Sequence, residues 1–117
     1  MRINATTNAE LEDWGPLELP LADPLDAVIA TRGVQSWASE DEKTSTGIWE
    51  CEPGRSRWDM EGEGEFIHVI SGSMVCTPDG GEAVTLRAGD SMTFAPGWKG
   101  EWNITETLRK VYVIFPG

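Results

Sequence analysis

Turn-forming residues divide this chain into short apolar runs, and that punctuation limits the architectures open to it. Thirteen Gly and seven Pro are spread through 117 residues, a pattern that suits a turn-rich β protein better than a helical bundle. From Gly33 onward the runs read as strands. Val34–Ser39 and Thr46–Glu52 flank the polar turn Glu40-Asp41-Glu42-Lys43, and Phe66–Ile70 and Ser73–Thr77 join around Gly72. Pro78-Asp79-Gly80-Gly81 leads into Ala83–Leu86, and Arg87-Ala88-Gly89-Asp90 leads into Ser91–Phe94. Glu101–Thr105 and Leu108–Phe115 complete the set. Eight strands at short spacing predict an all-β sandwich or barrel, of which the jelly roll is one form.

Residues 1–32 read as an extended N-terminal arm and lead-in, with the barrel over 33–117, all in one domain. Pro16, Pro20 and Pro24 each remove a backbone donor and fix φ, so neither a long helix nor a long ladder fits there. Leu17, Leu19 and Leu21 alternate as an extended segment on an apolar surface would. One short helix is expected from Asp23 as N-cap and Pro24 at the first helical position, with Leu25, Val28 and Ile29 on one face and Gly33 closing it.

Twenty acidic residues against nine basic ones give a formal charge of −11, which repels nucleic acid and anionic lipid. No stretch approaches the ~18 apolar residues that span a bilayer, and Met1–Gly15 lacks a signal-peptide core, so the expectation is a cytoplasmic protein without nucleic-acid or membrane partners. Cys51 and Cys76 are too few for a disulfide framework and are expected as buried thiols packing like small hydrophobes. Six Trp is a high count for this length, and Trp fills cores or lines ligand surfaces.

Four blocks carry a resemblance to a known family: Gly47-Ile48-Trp49-Glu50-Cys51-Glu52-Pro53-Gly54-Arg55-Ser56-Arg57-Trp58, Glu65 through Gly72 at the spacing E-x6-G, Gly89-Asp90 with Pro96-Gly97-Trp98-Lys99-Gly100, and Arg109-Lys110-Val111-Tyr112-Val113-Ile114. Each alone is weak, but the four in this order resemble the small cupins of a domain of unknown function, similar to the ureidoglycine aminohydrolase and ethanolamine-utilisation cupins. The resemblance implies a cupin double-stranded β-helix (jelly-roll, RmlC-like) barrel, a homodimer, and a pocket for a small molecule inside the barrel. It does not imply one reaction, since one fold hosts many.

Metal-dependent cupins carry an H-x-H pair ahead of the motif glutamate and a further histidine after the P-x-G glycine. Here the only histidine is His68, which sits in neither slot. Depending on register, the H-x-H slot falls on Asp59 and Glu61 or on Trp58 and Met60, and the later slot falls on Gly100. The first register gives Asp59, Glu61 and Glu65 as a carboxylate set for a hard cation such as Mg²⁺, Ca²⁺ or Mn²⁺. The second gives an apolar floor around Glu65 with no cofactor, and it is the one adopted because the run Glu61-Gly62-Glu63-Gly64 reads as a solvated loop.

A carboxylate inside an apolar barrel suits acid or base work, so Glu65 is the candidate catalytic residue. The competing structural role is a Glu65 satisfied by Arg57, Lys110 or a backbone donor. Trp58, Met60, Trp98 and Trp102 are the candidate pocket walls, while Arg57 and Lys110 offer positive charge to a ligand. Trp14, Trp37 and Trp49 are assigned to packing. Strand alternation sets Glu65, Ile67 and Val69 on one face and Phe66, His68 and Ile70 on the other, so an inward Glu65 turns His68 outward. Three functions stay open: a metal-independent enzyme on a small polar metabolite, a non-catalytic binding or sensing module, and a carboxylate-ligated metallocupin.

Overall fold

The computed structural model describes residues 10–117, so the first nine residues of the expected arm lie outside it. Nine strands and no helix make up the described chain: β1 (Glu12–Pro16), β2 (Asp23–Pro24), β3 (Ala30–Ala38), β4 (Ser45–Cys51), β5 (Gly54–Asp59), β6 (Glu63–Pro78), β7 (Val84–Arg87), β8 (Ser91–Phe94) and β9 (Lys99–Pro116). All pairings are antiparallel, in the order β1-β3-β4-β9-β5-β2, with β6 pairing β7, β8 and β9. The sheet curls into the expected barrel. No helix among the described residues is long and apolar enough to cross a membrane.

Two strands hold this barrel together. The first half of β9 lies beside β5, from Lys99↔Asp59 to Ile104↔Gly54, and its second half lies beside β4, from Leu108↔Cys51 to Ile114↔Ser45. Along its other edge β9 pairs with β6 through almost its whole length, from Glu63↔Pro116 to Pro78↔Gly100. The two strands of β6 expected on either side of Gly72 are thus one strand, as are the two expected for β9. The register shifts between Val69 and Met74 mark where the long ladder bends. Gly72 makes the bend possible: its φ is +84°, and a Cβ there would lie 2.0 Å from the Thr107 carbonyl oxygen.

Alternation then sorts the side chains. Along β6 the residues Glu65, Ile67 and Val69 are buried while Phe66 and His68 are exposed, as parity required. Strand β5, which the sequence reading passed over, buries Ser56 and Trp58 and exposes Arg55, Arg57 and Asp59. Its three charged outward residues masked the pattern. The core joins Ile67, Val69, Met74, Cys76, Phe94, Trp102 and Leu108, all without solvent exposure; each large apolar side chain so buried contributes on the order of 1.5–3 kcal/mol.

The expected helix after Asp23 does not form. Asp23–Pro24 instead pairs with Arg57–Ser56 of β5, the Leu25 amide donates to the Arg55 carbonyl at 3.0 Å, and Leu25 and Val28 stay exposed. Ile29 settles the matter by filling the space over Gly54, where a Cβ would meet its Cδ1 at 2.7 Å. A helix would have lifted Ile29 from that contact. The arm folds against its own barrel: β1 pairs with β3, Leu17 donates its amide to Ile29 at 2.8 Å, and Leu17 and Ala22 are buried.

Both cysteines are free and buried, and burial pushes each thiol up to about 12 from an ordinary 9.0. A thiolate is the reactive form, so neither cysteine should react with a disulfide reagent at pH 8 in the native protein, and both should react at once in denaturant. Rapid modification of folded protein would contradict the packing. The same shift carries a pH dependence. The thiols favour the fold fully below pH 9.0, and that contribution is lost as pH rises toward 12, because the unfolded chain releases those protons first.

Candidate functional site

Three inward rows of the barrel wall converge on one cavity. Trp49 of β4 stands opposite Lys110 of β9, which is paired in turn with Val69 of β6. Two residues along, Gly47 stands opposite Tyr112, and Tyr112 opposite Ile67; beyond that, Ile114 faces Glu65. Lys110, Tyr112 and Ile114 therefore share the inner face of β9 by simple alternation. Gly47 has no side chain where one would collide, since a Cβ would lie 2.7 Å from the Tyr112 hydroxyl.

Lys110 is only 2% exposed, and its Nζ donates to Glu65 Oε2 at 2.7 Å. The same ammonium sits 4.4 Å from the Trp49 ring centre and 4.6 Å from that of Trp102. Indole faces are electron-rich, so they add attraction for the cation on the sides where water is excluded. Trp102 stacks on Trp58 with ring centres 4.0 Å apart, and Trp49 meets Trp58 edge-on at 6.2 Å and 84°. Trp58 is held in turn by its Nε1–H donating to Ser56 Oγ at 2.9 Å. A buried ion pair thus lies inside an indole cluster.

Above it opens a cavity of about 110 Å³ lined by Trp14, Leu21, Trp49, Trp58, Glu65, Lys110, Tyr112 and Ile114. A smaller recess of about 60 Å³ adjoins it past Leu21, Trp58 and Glu65 and reaches Met60. The arm supplies the outer wall through Trp14 and Leu21. Trp14 can lie there because residue 33 is glycine: a Cβ on Gly33 would come within 2.6 Å of the Trp14 ring. Burial first, and the Glu65 charge second, push the Tyr112 hydroxyl above its usual pKa, so it faces the cavity as a neutral phenol.

The sequence-derived candidates divide accordingly. Glu65, Trp58 and Lys110 line the cavity, Met60 lines the recess, and Trp102 lies beneath as the stacking partner of Trp58. Arg57 does not reach the site, because alternation turns it outward, where its Nη1 donates to Asp79 at 2.6 Å. Trp98 packs edge-on against Phe94 at 5.0 Å and lines neither space. Trp14 and Trp49, assigned to packing by the sequence, are walls of the cavity, as are Tyr112 and Ile114. The signal for the last two was available in their i+2 and i+4 spacing from Lys110. His68 points outward and meets Ser91 Oγ at 2.7 Å.

A metal in the family manner does not fit these residues. Trp58 and Met60 occupy the inward pair of slots, whereas Asp59 and Glu61 are exposed, with Asp59 lying 3.8 Å from Lys99 Nζ. Among the described residues no three His, Cys, Asp or Glu side chains gather to hold an ion. Gly100, the slot for the later histidine, admits no side chain, since a Cβ would lie 2.3 Å from the Thr77 carbonyl oxygen. Glu65, the inward carboxylate at this place, is already paired with the Lys110 ammonium through Oε2.

Comparison with known proteins agrees with this architecture. No curated protein matches the sequence. A Pseudomonas syringae pv. tomato protein of unknown function from the DUF861 family superposes with a TM-score of 0.79 at 20% identity, covering 92% of this chain and 45% of its own. The Clostridium difficile EutQ protein gives 0.64 at 20% identity over 76% of this chain and 64% of its own, and ectoine synthase from P. lautus gives 0.67 at 18% over 80% and 69%. This chain spans less than half the length of the Pseudomonas protein, and at these identities the likeness is one of fold. The sequence profile of the EutQ-like cupin domain matches residues 38–112, from β3 to the Tyr112 wall of the cavity. With more than half of its length so matched, the chain belongs to the EutQ-like cupin domain family.

Proposed function

We propose that this protein binds a small molecule in the cavity above Glu65 and Lys110, without a metal. The observation that carries the reading is the buried Glu65–Lys110 pair, joined at 2.7 Å and opening onto an indole-walled space. A structural ion pair has no need of a cavity beside it, and buried pairs are weak stabilisers compared with apolar packing. Ligand sites, by contrast, are apolar concavities with a few convergent polar groups. Flat indole walls favour a planar body, and the ion pair favours a polar edge.

Titration with small planar aromatic fragments tests this through the indole N–H resonances. Those of Trp14, Trp49 and Trp58 should shift saturably, while Trp37, exposed and outside the cavity, should not. Ile114→Trp, which fills the cavity, should weaken binding at least about tenfold, the loss of roughly 1.4 kcal/mol. Absence of saturable shifts at the three cavity indoles would refute the reading. A second reading, proton transfer to the bound molecule, is favoured by one detail: Lys110 engages Oε2 only, and Oε1 of Glu65 has no hydrogen-bond partner among the described residues. Given a substrate, Glu65→Gln should then abolish turnover and spare affinity.

A further inference from the structure

Resting on the binding reading above, we infer that the ligand is uncharged and presents a carbonyl oxygen beside an N–H, as a planar carboxamide or lactam does. Lys110 and Glu65 together are neutral, yet each has hydrogen-bonding capacity left over. The ammonium has three protons, of which one goes to Glu65 Oε2, and no further oxygen or nitrogen among the described residues accepts from it. The carboxylate accepts through Oε2 and keeps Oε1 without a partner among the described residues. The unmet needs are thus one acceptor for Lys110 and one donor for Glu65, side by side. An amide edge supplies both and leaves the ion pair intact.

Charged ligands fare worse at the same place. A carboxylate would satisfy Lys110 but bring its charge against Glu65, and a −11 chain repels it at long range as well. A cation would satisfy Glu65 but meet the Lys110 ammonium, which already holds the faces of Trp49 and Trp102. Either one adds an uncompensated charge to a site walled by indoles, where desolvation is costly. Size agrees: the cavity of about 110 Å³ with the recess of about 60 Å³ beside it compares with the roughly 150 Å³ that hold a benzene ring, so a single small ring and its amide edge fill the two.

Benzamide, benzoate and benzamidinium have nearly the same shape and differ in charge at pH 7, so they isolate this question. Binding to wild-type protein, followed by the same indole shifts, should favour benzamide over both ions by about tenfold or more. Benzoate or benzamidinium binding as tightly as benzamide overturns the inference while leaving the pocket reading in place. No binding by any of the three removes the pocket reading itself. Glu65→Gln makes the site cationic and should move the preference toward benzoate; Lys110→Met makes it anionic and should move it toward benzamidinium. Should one variant fail to fold, the other and the wild-type ranking still decide, and a folded variant with an unchanged ranking counts against the inference.

Discussion

Lys110→Met should lower the unfolding free energy by about 3–5 kcal/mol, because it strands the Glu65 carboxylate among Trp58, Tyr112 and Ile114 without its cation. The side chain of Glu65 is 9% exposed, so water from the cavity makes up for the lost Lys110 charge only in part. Methionine matches the lysine stem in length and flexibility, and its thioether is compatible with the indoles that lose the ammonium, which confines the damage to charge. The double variant Glu65→Gln with Lys110→Met should recover most of the loss, since a neutral amide beside a thioether leaves no bare charge. Urea denaturation of the wild type, the two single variants and the double variant gives the coupling directly. Additive losses in the double variant would mean that the pair is not the interaction described here. A domain stable by about 5–15 kcal/mol loses a large share of its margin in the single Lys110 variant.

Gly72→Ala should cost at least about 3 kcal/mol, by two mechanisms acting together. A positive φ of +84° strains any residue with a Cβ, and at this position that Cβ would also lie 2.0 Å from a backbone oxygen of β9. Backbone cannot turn aside as a side chain can. Gly80 provides the control: its φ is +69°, but a Cβ there meets nothing within 4 Å. Gly80→Ala should cost only the strain, about 1–2 kcal/mol. Thermal or urea unfolding of the two variants separates crowding from strain, and equal losses would remove crowding from the explanation.

Gly72 also shows what was legible beforehand. Its spacing from Glu65 reads directly from the chain, and so does the inward face of β6, because alternation has a period of two and a single buried residue sets the rest. The family and the barrel were legible in the resemblance of four ordered blocks, and the inward pairing of Trp58 with Met60 in the acidic run Glu61-Gly62-Glu63-Gly64, which reads as a solvated loop where spacing alone left two registers open. Three features were not legible. Strand β5 was hidden because its outward residues are charged. The continuity of β6 and β9 was hidden because Gly72 and Glu106-Thr107 read as turns, whereas a long bent ladder absorbs them. Trp14 and Trp49 were hidden as cavity walls because their place depends on neighbours far along the chain: Lys110 opposite Trp49, and the bare backbone of Gly33 beneath Trp14. Local patterns state which way a side chain points. They do not state what stands across from it.

The sharing of β6 and β9 between both walls of the barrel has a kinetic meaning. Neither wall can assemble alone, since each needs half of a strand whose other half belongs to the opposite wall. Such distant pairings must close long loops before any contact repays them, so folding should be slow for a chain of this size. Once formed, the barrel opens as a unit. The arm is different: β1 is a five-residue strand joined, among the described residues, to β3 alone. Edge segments of this kind fray at little cost while the body stays closed. By that rule the segment that carries Trp14 and leads to Leu21 opens most readily, so the outer wall of the cavity can part without disturbing the barrel beneath.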